Sequence, residues 1–197
     1  VREIIKDNFN IFGKSKSLFN SNSLVSRIKG ISIQIKDLMK SIILYKPDLL
    51  IVAGDREESI TVALVGSYMN IPIAHVSGGD RVVGNIDDQI RHAVTKLSHI
   101  HFAANDDAKK RLLALGEEKF RIFNVGAPQI DEIKSKEVSK IEEIKKKYDI
   151  NFKKKFILVI LHPVTEEFDN ISEQTDELFN ALNSFNYNFV WICPNND

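Results

Sequence analysis

Ionisable residues and glycines stand where three apolar, strand-like runs of this sequence end. The polar segments that follow these runs are Gly54-Asp55-Arg56, Ser77-Gly78-Gly79-Asp80 and His162-Pro163. In parallel α/β sheets, ligands bind just beyond the carboxyl ends of the strands. The three segments therefore predict a binding or catalytic site along the carboxyl edge of a sheet.

Two of these segments have a structural explanation as well as a chemical one. Asp is a favoured residue at a helix N-cap, and Asp55 precedes a helix predicted at 57–69. Gly78-Gly79 lets a backbone approach a ligand closely, but a glycine pair also serves simply to turn the chain. The sequence leaves both alternatives open.

The densest set of ionisable residues lies in Ile86-Asp87-Asp88-Gln89-Ile90-Arg91-His92. Two adjacent carboxylates open a predicted helix, where the macrodipole favours negative charge. Arg91 and His92 follow one turn later, at i+4 from Asp87 and Asp88, and Arg91 can bind a carboxylate or a phosphate in a bidentate manner. Acids, a base and a cation this close together also suit proton transfer, so dipole compensation and catalysis both remain open.

Other kinds of chemistry find little support in the sequence. His75 lies within a strand-like run, while His99 and His101 flank the start of another, and we predict structural roles for all three. No histidines or cysteines have the spacing of zinc ligands. Neither a Walker loop nor a GxSxG elbow is present. We therefore predict no metal site and no serine-hydrolase chemistry.

Short apolar runs that alternate with helical periodicity predict the elements that position these residues. The predicted strands are 49–53, 72–76, 100–104, 121–125, 156–161 and 188–193, and the predicted helices are 31–46, 57–69, 86–98, 106–115 and 172–184. The first run shows no polar alternation, which is typical of a parallel strand buried on both faces. Residues 1–30 are predicted as weak helix or loop, and 134–155 as a solvated helix. This order predicts right-handed βαβ crossovers and a doubly wound, Rossmann-like parallel α/β sheet.

Composition restricts the partners of the protein. Lys+Arg and Asp+Glu both number 27 in 197 residues, so no net charge attracts the chain to nucleic acid or to a membrane surface. The longest apolar runs have strand length, and we predict no membrane span. The only cysteine, Cys193, is predicted to be a buried strand thiol, which suits a reducing cytoplasm.

We place a domain boundary near Val125-Gly126-Ala127-Pro128, where a predicted strand ends and Gly and Pro interrupt the chain. Residues 1–126 then form a nearly complete lobe, and 127–197 begin a second one. The latter holds one strand–helix–strand unit, which is too little for a stable two-sided lobe by itself. Because Val1 reads like the interior of a helix, we expect a further segment before it.

Several of these segments together resemble one enzyme family. They are Ala53-Gly54-Asp55-Arg56, IAHVSGGD at 73–80, IDDQIRHAVTKLSH at 86–99, Val125-Gly126-Ala127-Pro128 and Leu161-His162-Pro163-Val164-Thr165. In this order they resemble the hydrolysing UDP-N-acetylglucosamine 2-epimerases, and most closely the sialic-acid and legionaminic-acid branches. The resemblance covers roughly residues 31–197, and the IDDQIRHAVTKLSH run is its most specific part.

The resemblance implies a two-lobed fold of the GT-B type, with a UDP-sugar in the cleft between the lobes. It implies elimination of UDP from UDP-N-acetylglucosamine or a UDP-diacetamido-sugar, followed by water addition to the glycal, which yields a free manno-configured sugar for nonulosonic-acid synthesis. It further implies a homo-oligomer at full length that needs neither metal nor nicotinamide. The residues it assigns to catalysis are Asp55, Asp87 and His162, and those it assigns to substrate binding are Gly78, Gly79, Asp80, Asp88, Arg91 and His92.

The sequence departs from the family pattern at Ser77, where related epimerases often carry Glu. A hydroxyl cannot replace a carboxylate base at neutral pH, so either Asp80 or Asp55 takes that duty, or this branch divides the catalytic roles differently. The chain also lacks the family's first strand and most of its second lobe, and we expect the 197 residues alone to be inactive. Two alternatives stay open: a GT-B glycosyltransferase, recognised by acceptor-dependent UDP release, and a non-catalytic folding or binding module.

Overall fold

The computed structural model describes residues 2–17, 24–82, 85–135, 140–148, 150–153, 155–162 and 165–192. Cys193, the predicted strand thiol, lies outside these residues. The chain divides into two compact units, Val1–Asp131 and Glu132–Asp197. Among the described residues, no helix combines the length and the apolar character that crossing a bilayer requires.

The first unit alternates strands with helices. In chain order its elements are α1 (Arg2–Lys6), α2 (Leu24–Tyr45), β1 (Leu50–Ala53), α3 (Glu57–Tyr68), β2 (Ile73–Val76), α4 (Ile86–Leu97), β3 (Ile100–Ala103), α5 (Asp106–Ala114) and β4 (Ile122–Asn124), and α6 (Pro128–Ser135) follows across the unit boundary. Helix α2 begins at Leu24, well before the predicted start at Ile31. The sequence pattern did not indicate this first part because Val25 and Ile28 are exposed and do not continue the apolar periodicity of a buried face.

The four strands of this unit form one parallel sheet in the order β1-β2-β3-β4. Val52, His75, His101 and Ile122 lie side by side in register across it. Each pair of neighbouring strands is joined through a helix. The predicted parallel α/β fold is therefore confirmed, and all four carboxyl ends lie at the same edge of the sheet.

Helices α3 and α4 cover one face of β1. Val52 is only 5% exposed, whereas the adjacent Ile51 is 66% exposed. Right-handed crossovers between strands in sequential order place α3, α4 and α5 on the same face of the sheet. Within the described residues, the expectation that β1 is buried on both faces is therefore wrong.

Two apolar clusters pack the helices of the first unit against its sheet. The cluster under β1 and β2 contains Val52, Ala63, Ile73 and Val94, and the cluster under β3 and β4 contains Ala103, Ala108, Leu112 and Ile122. Each cluster joins strand residues to residues of α3, α4 or α5. The clusters therefore hold α3, α4 and α5 on the sheet, and the loops at its carboxyl edge connect these packed elements.

The second unit is built around a parallel pair of strands in its described part. Its elements are α7 (Ile141–Tyr148), β5 (Phe156–Ile160), a 3-10 segment (Thr165–Asn170), α8 (Ile171–Asn183) and β6 (Asn188–Ile192). Strands β5 and β6 pair in register from Phe156↔Asn188 to Ile160↔Ile192. Both strands lie where they were predicted. Most described side chains of α7 are exposed, as expected for the solvated segment 134–155.

Candidate active site

The turn after β1 is held by hydrogen bonds on both sides. Gly54 has φ +73, and its N–H donates to the carbonyl of Val76 at 3.0 Å. The hydroxyl of Ser59 donates to the carbonyl of Ala53 at 2.6 Å. This turn delivers Asp55 to the carboxyl edge of the sheet, as the sequence predicted.

Asp55 does not cap helix α3. The N-cap residue is Arg56, and its side chain makes no capping hydrogen bond. The carboxylate of Asp55 instead accepts a hydrogen bond from Arg91, 36 residues further along the chain. The capping alternative is therefore wrong, and Asp55 belongs to a contact between different elements.

Arg91 joins the ends of β1 and β2. It is 7% exposed, and Nη2 pairs with Asp55 while Nη1 donates to the carbonyl of Ser77 at 2.9 Å. The same Nη1 lies 3.8 Å from the carboxylate of Asp80. Its Nε is buried with no hydrogen-bond partner among the described residues. We call Arg91, Asp55, Asp80 and the Ser77 carbonyl the Arg91 cluster.

The two carboxylates that open α4 have different surroundings. The N-cap side chain of Asn85 accepts from the N–H of Asp87 and donates to its carboxylate, both at 3.1 Å. Asp88 accepts from the N–H of Val82 at 3.0 Å and lies 3.6 Å from Nε2 of His92, its expected i,i+4 partner. Asp88 thus ties the β2–α4 loop to the helix, while Asp87 remains half-buried at its start.

Internal packing accounts for both glycines of the β2–α4 loop. A Cβ on Gly79, which has φ +79, would overlap the carbonyl oxygen of Ala108 and approach Leu112 Cγ at 2.9 Å. A Cβ on Gly78 would lie 2.9 Å from Nδ1 of His75. These glycines let the loop pack closely against α5 and β2, so their contact with a substrate stays a prediction.

Ser77 lies at the carboxyl end of β2 in an unfavourable backbone conformation. Its φ is +63, in the left-handed region that costs a non-glycine residue about 1–2 kcal/mol. Its N–H donates to the carbonyl of Phe102 at 2.9 Å, and its own carbonyl accepts from Arg91. Strain of this kind often accumulates at functional sites, and no sequence pattern indicated it here.

His75 is a site neighbour that the sequence analysis assigned only a structural role. The ring is fully buried, with Nε2 2.9 Å from the carbonyl oxygen of Gly54 and Nδ1 3.2 Å from the hydroxyl of Thr95. Burial lowers the pKa of His75 to about 4, although the bond to the Gly54 carbonyl opposes the shift. The sequence feature that could have indicated this role is the position of His75 near the end of a strand that leads to the site.

A second ionic cluster lies at the opposite, amino edge of the sheet. Buried Glu117 contacts Lys96 at 2.6 Å, His101 at 3.1 Å and Arg121 at 3.4 Å. Burial lowers the pKa of His101, and the neighbouring Glu117 carboxylate opposes this effect. This arrangement agrees with the predicted structural role of His101.

His162 follows β5 in the second unit, and its side chain is exposed. Asp55 and Asp87 belong to the first unit, so the convergence of all three residues on one cleft stays a prediction. Among the described residues, no group of three or more His, Cys, Asp and Glu side chains could hold a metal ion.

Comparison with known proteins identifies the family. Residues 1–197 match the family model described as UDP-N-acetylglucosamine 2-epimerase. Over all 197 residues the chain is 34% identical to a Legionella pneumophila protein named UDP-N,N'-diacetylbacillosamine 2-epimerase (hydrolyzing), and it covers 52% of that relative. It is 33% identical, again over its whole length, to a Campylobacter jejuni protein named GDP/UDP-N,N'-diacetylbacillosamine 2-epimerase (hydrolyzing), of which it covers 51%.

The solved structures agree with the sequence matches. The S. aureus MnaA–UDP co-structure is 26% identical, with a TM-score of 0.70 over 88% of this chain and 47% of that one. The chain spans about half the length of the curated relatives it matches. Its parallel sheet is the Rossmann-like sheet of the GT-B-type epimerases. The family model, the relatives and the fold all agree, and the chain belongs to the UDP-N-acetylglucosamine 2-epimerase family.

Proposed function

We propose that the protein is a hydrolysing 2-epimerase that acts on UDP-N-acetylglucosamine or on a UDP-diacetamido-sugar and supplies a free sugar for nonulosonic-acid synthesis. The observation that carries the proposal is the Arg91 cluster, which brings Asp55 and Asp80 together at the carboxyl edge of the sheet. The names of the Legionella and Campylobacter relatives support the hydrolysing type and the diacetamido class of sugar.

The proposed reaction needs only proton transfer and water. A carboxylate removes the proton from C2 while the C1–O bond to UDP breaks, which leaves UDP and a 2-acetamidoglycal. Water then adds its hydroxyl to C1, and an acid returns a proton to the opposite face of C2. The net reaction converts one UDP-sugar and one water to UDP and a free manno-configured sugar. Carboxylates and histidine are the usual groups for such transfers.

We assign the proton transfers to the carboxylates at the sheet edge. Asp87 is half-buried at the start of α4, a position where a carboxylate can meet a ligand. Ser77 offers no carboxylate, but Asp80 follows it by three residues and shares Arg91 with Asp55. Asp80 is therefore a substitute for the glutamate that related epimerases often carry at this point. His162 is proposed to assist the departure of the diphosphate.

A deuterium experiment tests the proposal. The complete gene product is incubated in D₂O with each UDP-sugar, and UDP and the free sugar are followed by proton NMR. We expect both products together, with deuterium at C2 of the sugar, because the C2 proton exchanges with solvent through the base. UDP release only when a sugar acceptor is added would overturn the proposal in favour of a glycosyltransferase. Release of a sugar without deuterium at C2 would show simple hydrolysis.

The arrangement of the complete protein forms part of the same proposal. Residues 1–126 form one lobe and 127–197 begin the nucleotide-binding lobe of a cytoplasmic homo-oligomer. The 197-residue chain alone is inactive, because in the proposed arrangement most contacts to UDP lie in the second lobe. Titration of this chain with UDP by calorimetry then gives no binding in the micromolar range. A micromolar Kd would show that the nucleotide site lies within these residues.

A further inference from the structure

We infer that His75 is the positioning residue that holds Asp55 at the candidate active site, acting through the carbonyl group of Gly54. The inference rests on the proposed function, because that function gives Asp55 its part in catalysis. His75 itself lies in the sheet and cannot touch a substrate, since its ring is fully buried.

Hydrogen-bonding chemistry specifies which nitrogen of His75 carries the proton. A backbone carbonyl can only accept, so Nε2, 2.9 Å from the oxygen of Gly54, must be the donor. In a neutral ring Nδ1 is then the acceptor, and the hydroxyl of Thr95 at 3.2 Å donates to it. Burial lowers the pKa of His75 to about 4, so the ring is neutral near pH 7. The Gly54 carbonyl thus selects the tautomer, and the Thr95 hydroxyl completes it by donating to Nδ1.

Gly54 is anchored to β2 through both of its backbone polar groups. Its N–H donates to Val76, and its carbonyl accepts from His75, one residue earlier on the same strand. Because Gly54 has φ +73 and both its N–H and its carbonyl are hydrogen-bonded, the orientation of the peptide that leads into Asp55 is fixed. In this orientation the carboxylate of Asp55 contacts Arg91. Loss of the His75 bond frees the peptide to rotate and changes where the carboxylate lies.

The surrounding residues make room for this arrangement. Gly78 leaves the space that Nδ1 of His75 occupies, since a Cβ there would lie 2.9 Å from that atom. Thr95 is also fully buried and comes from α4, the helix that carries Arg91. The His75 ring therefore links the turn after β1, which carries Asp55, to β2 and to α4, which carries Arg91.

His101 provides a matched control for the contribution of His75 to core packing. It is the register neighbour of His75 on β3 and is also fully buried, but its ring contacts Glu117 at the amino edge of the sheet. Substitution of His101 therefore disturbs a comparable amount of core without touching the turn that carries Asp55. A purely structural role for His75 predicts that both histidines behave alike.

The kinetic test uses His75→Leu, His75→Gln and His101→Gln in the complete gene product. Small displacements of a reacting group cost about 10²-fold, so we expect His75→Leu to lower kcat by about 10–100-fold with KM little changed. His75→Gln should recover much of the loss, because its amide N–H can donate to Gly54. His101→Gln should keep kcat near the wild-type value. A loss for His101→Gln as large as that for His75→Leu, or no recovery by His75→Gln, would overturn the inference.

An NMR measurement tests the inference independently of activity. With ¹⁵N-labelled histidine at pH 7, we expect the ring of His75 to be neutral and to carry its proton on Nε2. A proton on Nδ1, or a charged ring, refutes the positioning role whether or not the protein is an epimerase. The expected tautomer together with an absence of C2 exchange would instead refute the proposed function and leave the positioning role in place.

Discussion

Arg91→Met removes the cation that Asp55 and Asp80 share while keeping a side chain of similar length. Arg91 is 7% exposed, and the side chains of Asp55 and Asp80 are 17% and 31% exposed. The substitution therefore leaves two neighbouring carboxylates without a counter-ion in a place where water reaches them only in part. It also removes a donor from the carbonyl of Ser77.

The size of the effect follows from the burial of these groups. Breaking a buried ion pair by removing one partner costs about 3–5 kcal/mol, because the charge that remains is uncompensated. Partial exposure of both carboxylates puts this case at the lower end, and we expect a loss of about 3 kcal/mol in the free energy of unfolding. Adding Asp55→Asn removes one of the stranded charges, so the double variant should regain about 1 kcal/mol or more.

Urea unfolding of the complete gene product, followed by circular dichroism at fixed protein concentration, measures both values. Lys110→Met is the matched control, since Lys110 forms an exposed pair with Asp107 at 3.4 Å and should contribute no more than about 0.5 kcal/mol. A loss for Arg91→Met no larger than for this control would refute the reasoning. So would strict additivity of Arg91→Met and Asp55→Asn.

Three further predictions concern stability and turnover. Burial lowers the pKa of His75 from 6.5 to about 4, so the unfolded state binds this proton before the folded state does as pH falls. The free energy of unfolding should therefore drop by about 3 kcal/mol between pH 6.5 and 4, and His75 should add no pH dependence above that range. This acid-side slope should be smaller in His75→Gln, and equal slopes would contradict the assignment. Gly79→Ala should destabilise far more than Gly116→Ala in urea unfolding, because both have positive φ but the methyl group has open space only at Gly116; similar losses would show that the loop shifts easily. Asp87→Asn should lower turnover by about 10²–10⁴-fold with substrate binding largely kept, and the same assay on Asp88→Asn separates the neighbours; unchanged turnover would reassign Asp87 to stabilising the start of α4.

Local patterns predicted the elements that support the site. The strands of a parallel sheet appear in the sequence as short apolar runs. Each described strand begins and ends within one residue of its predicted bounds. The segments after Ala53 and Val76 could be assigned to the carboxyl edge because strand direction and alternation with helices imply it. Burial of β1 was less predictable, since an apolar run does not reveal whether the chain covers one face of the sheet or both.

Contacts inside the site depend on the tertiary structure. Helical spacing correctly paired Asp88 with His92, because residues at i and i+4 share a helix face. The same spacing did not indicate that Arg91 reaches Asp55 across 36 residues, or that Gly79 turns toward α5. These partners are set by strand register and by the packing of α4 on the sheet, and both are properties of the assembled unit.

The amino-acid sequence by itself determined the family, the α/β class and the residues that end at the carboxyl edge, because these are carried by motifs and local periodicity. Only the tertiary structure decided that Arg91 contacts Asp55 and the Ser77 carbonyl, that Ser77 has a positive φ and that His75 contacts the carbonyl of Gly54. The Arg91 and His75 contacts require atoms from separate elements to meet within hydrogen-bonding distance. Packing of the whole sheet brings them together, and no short stretch of sequence encodes it.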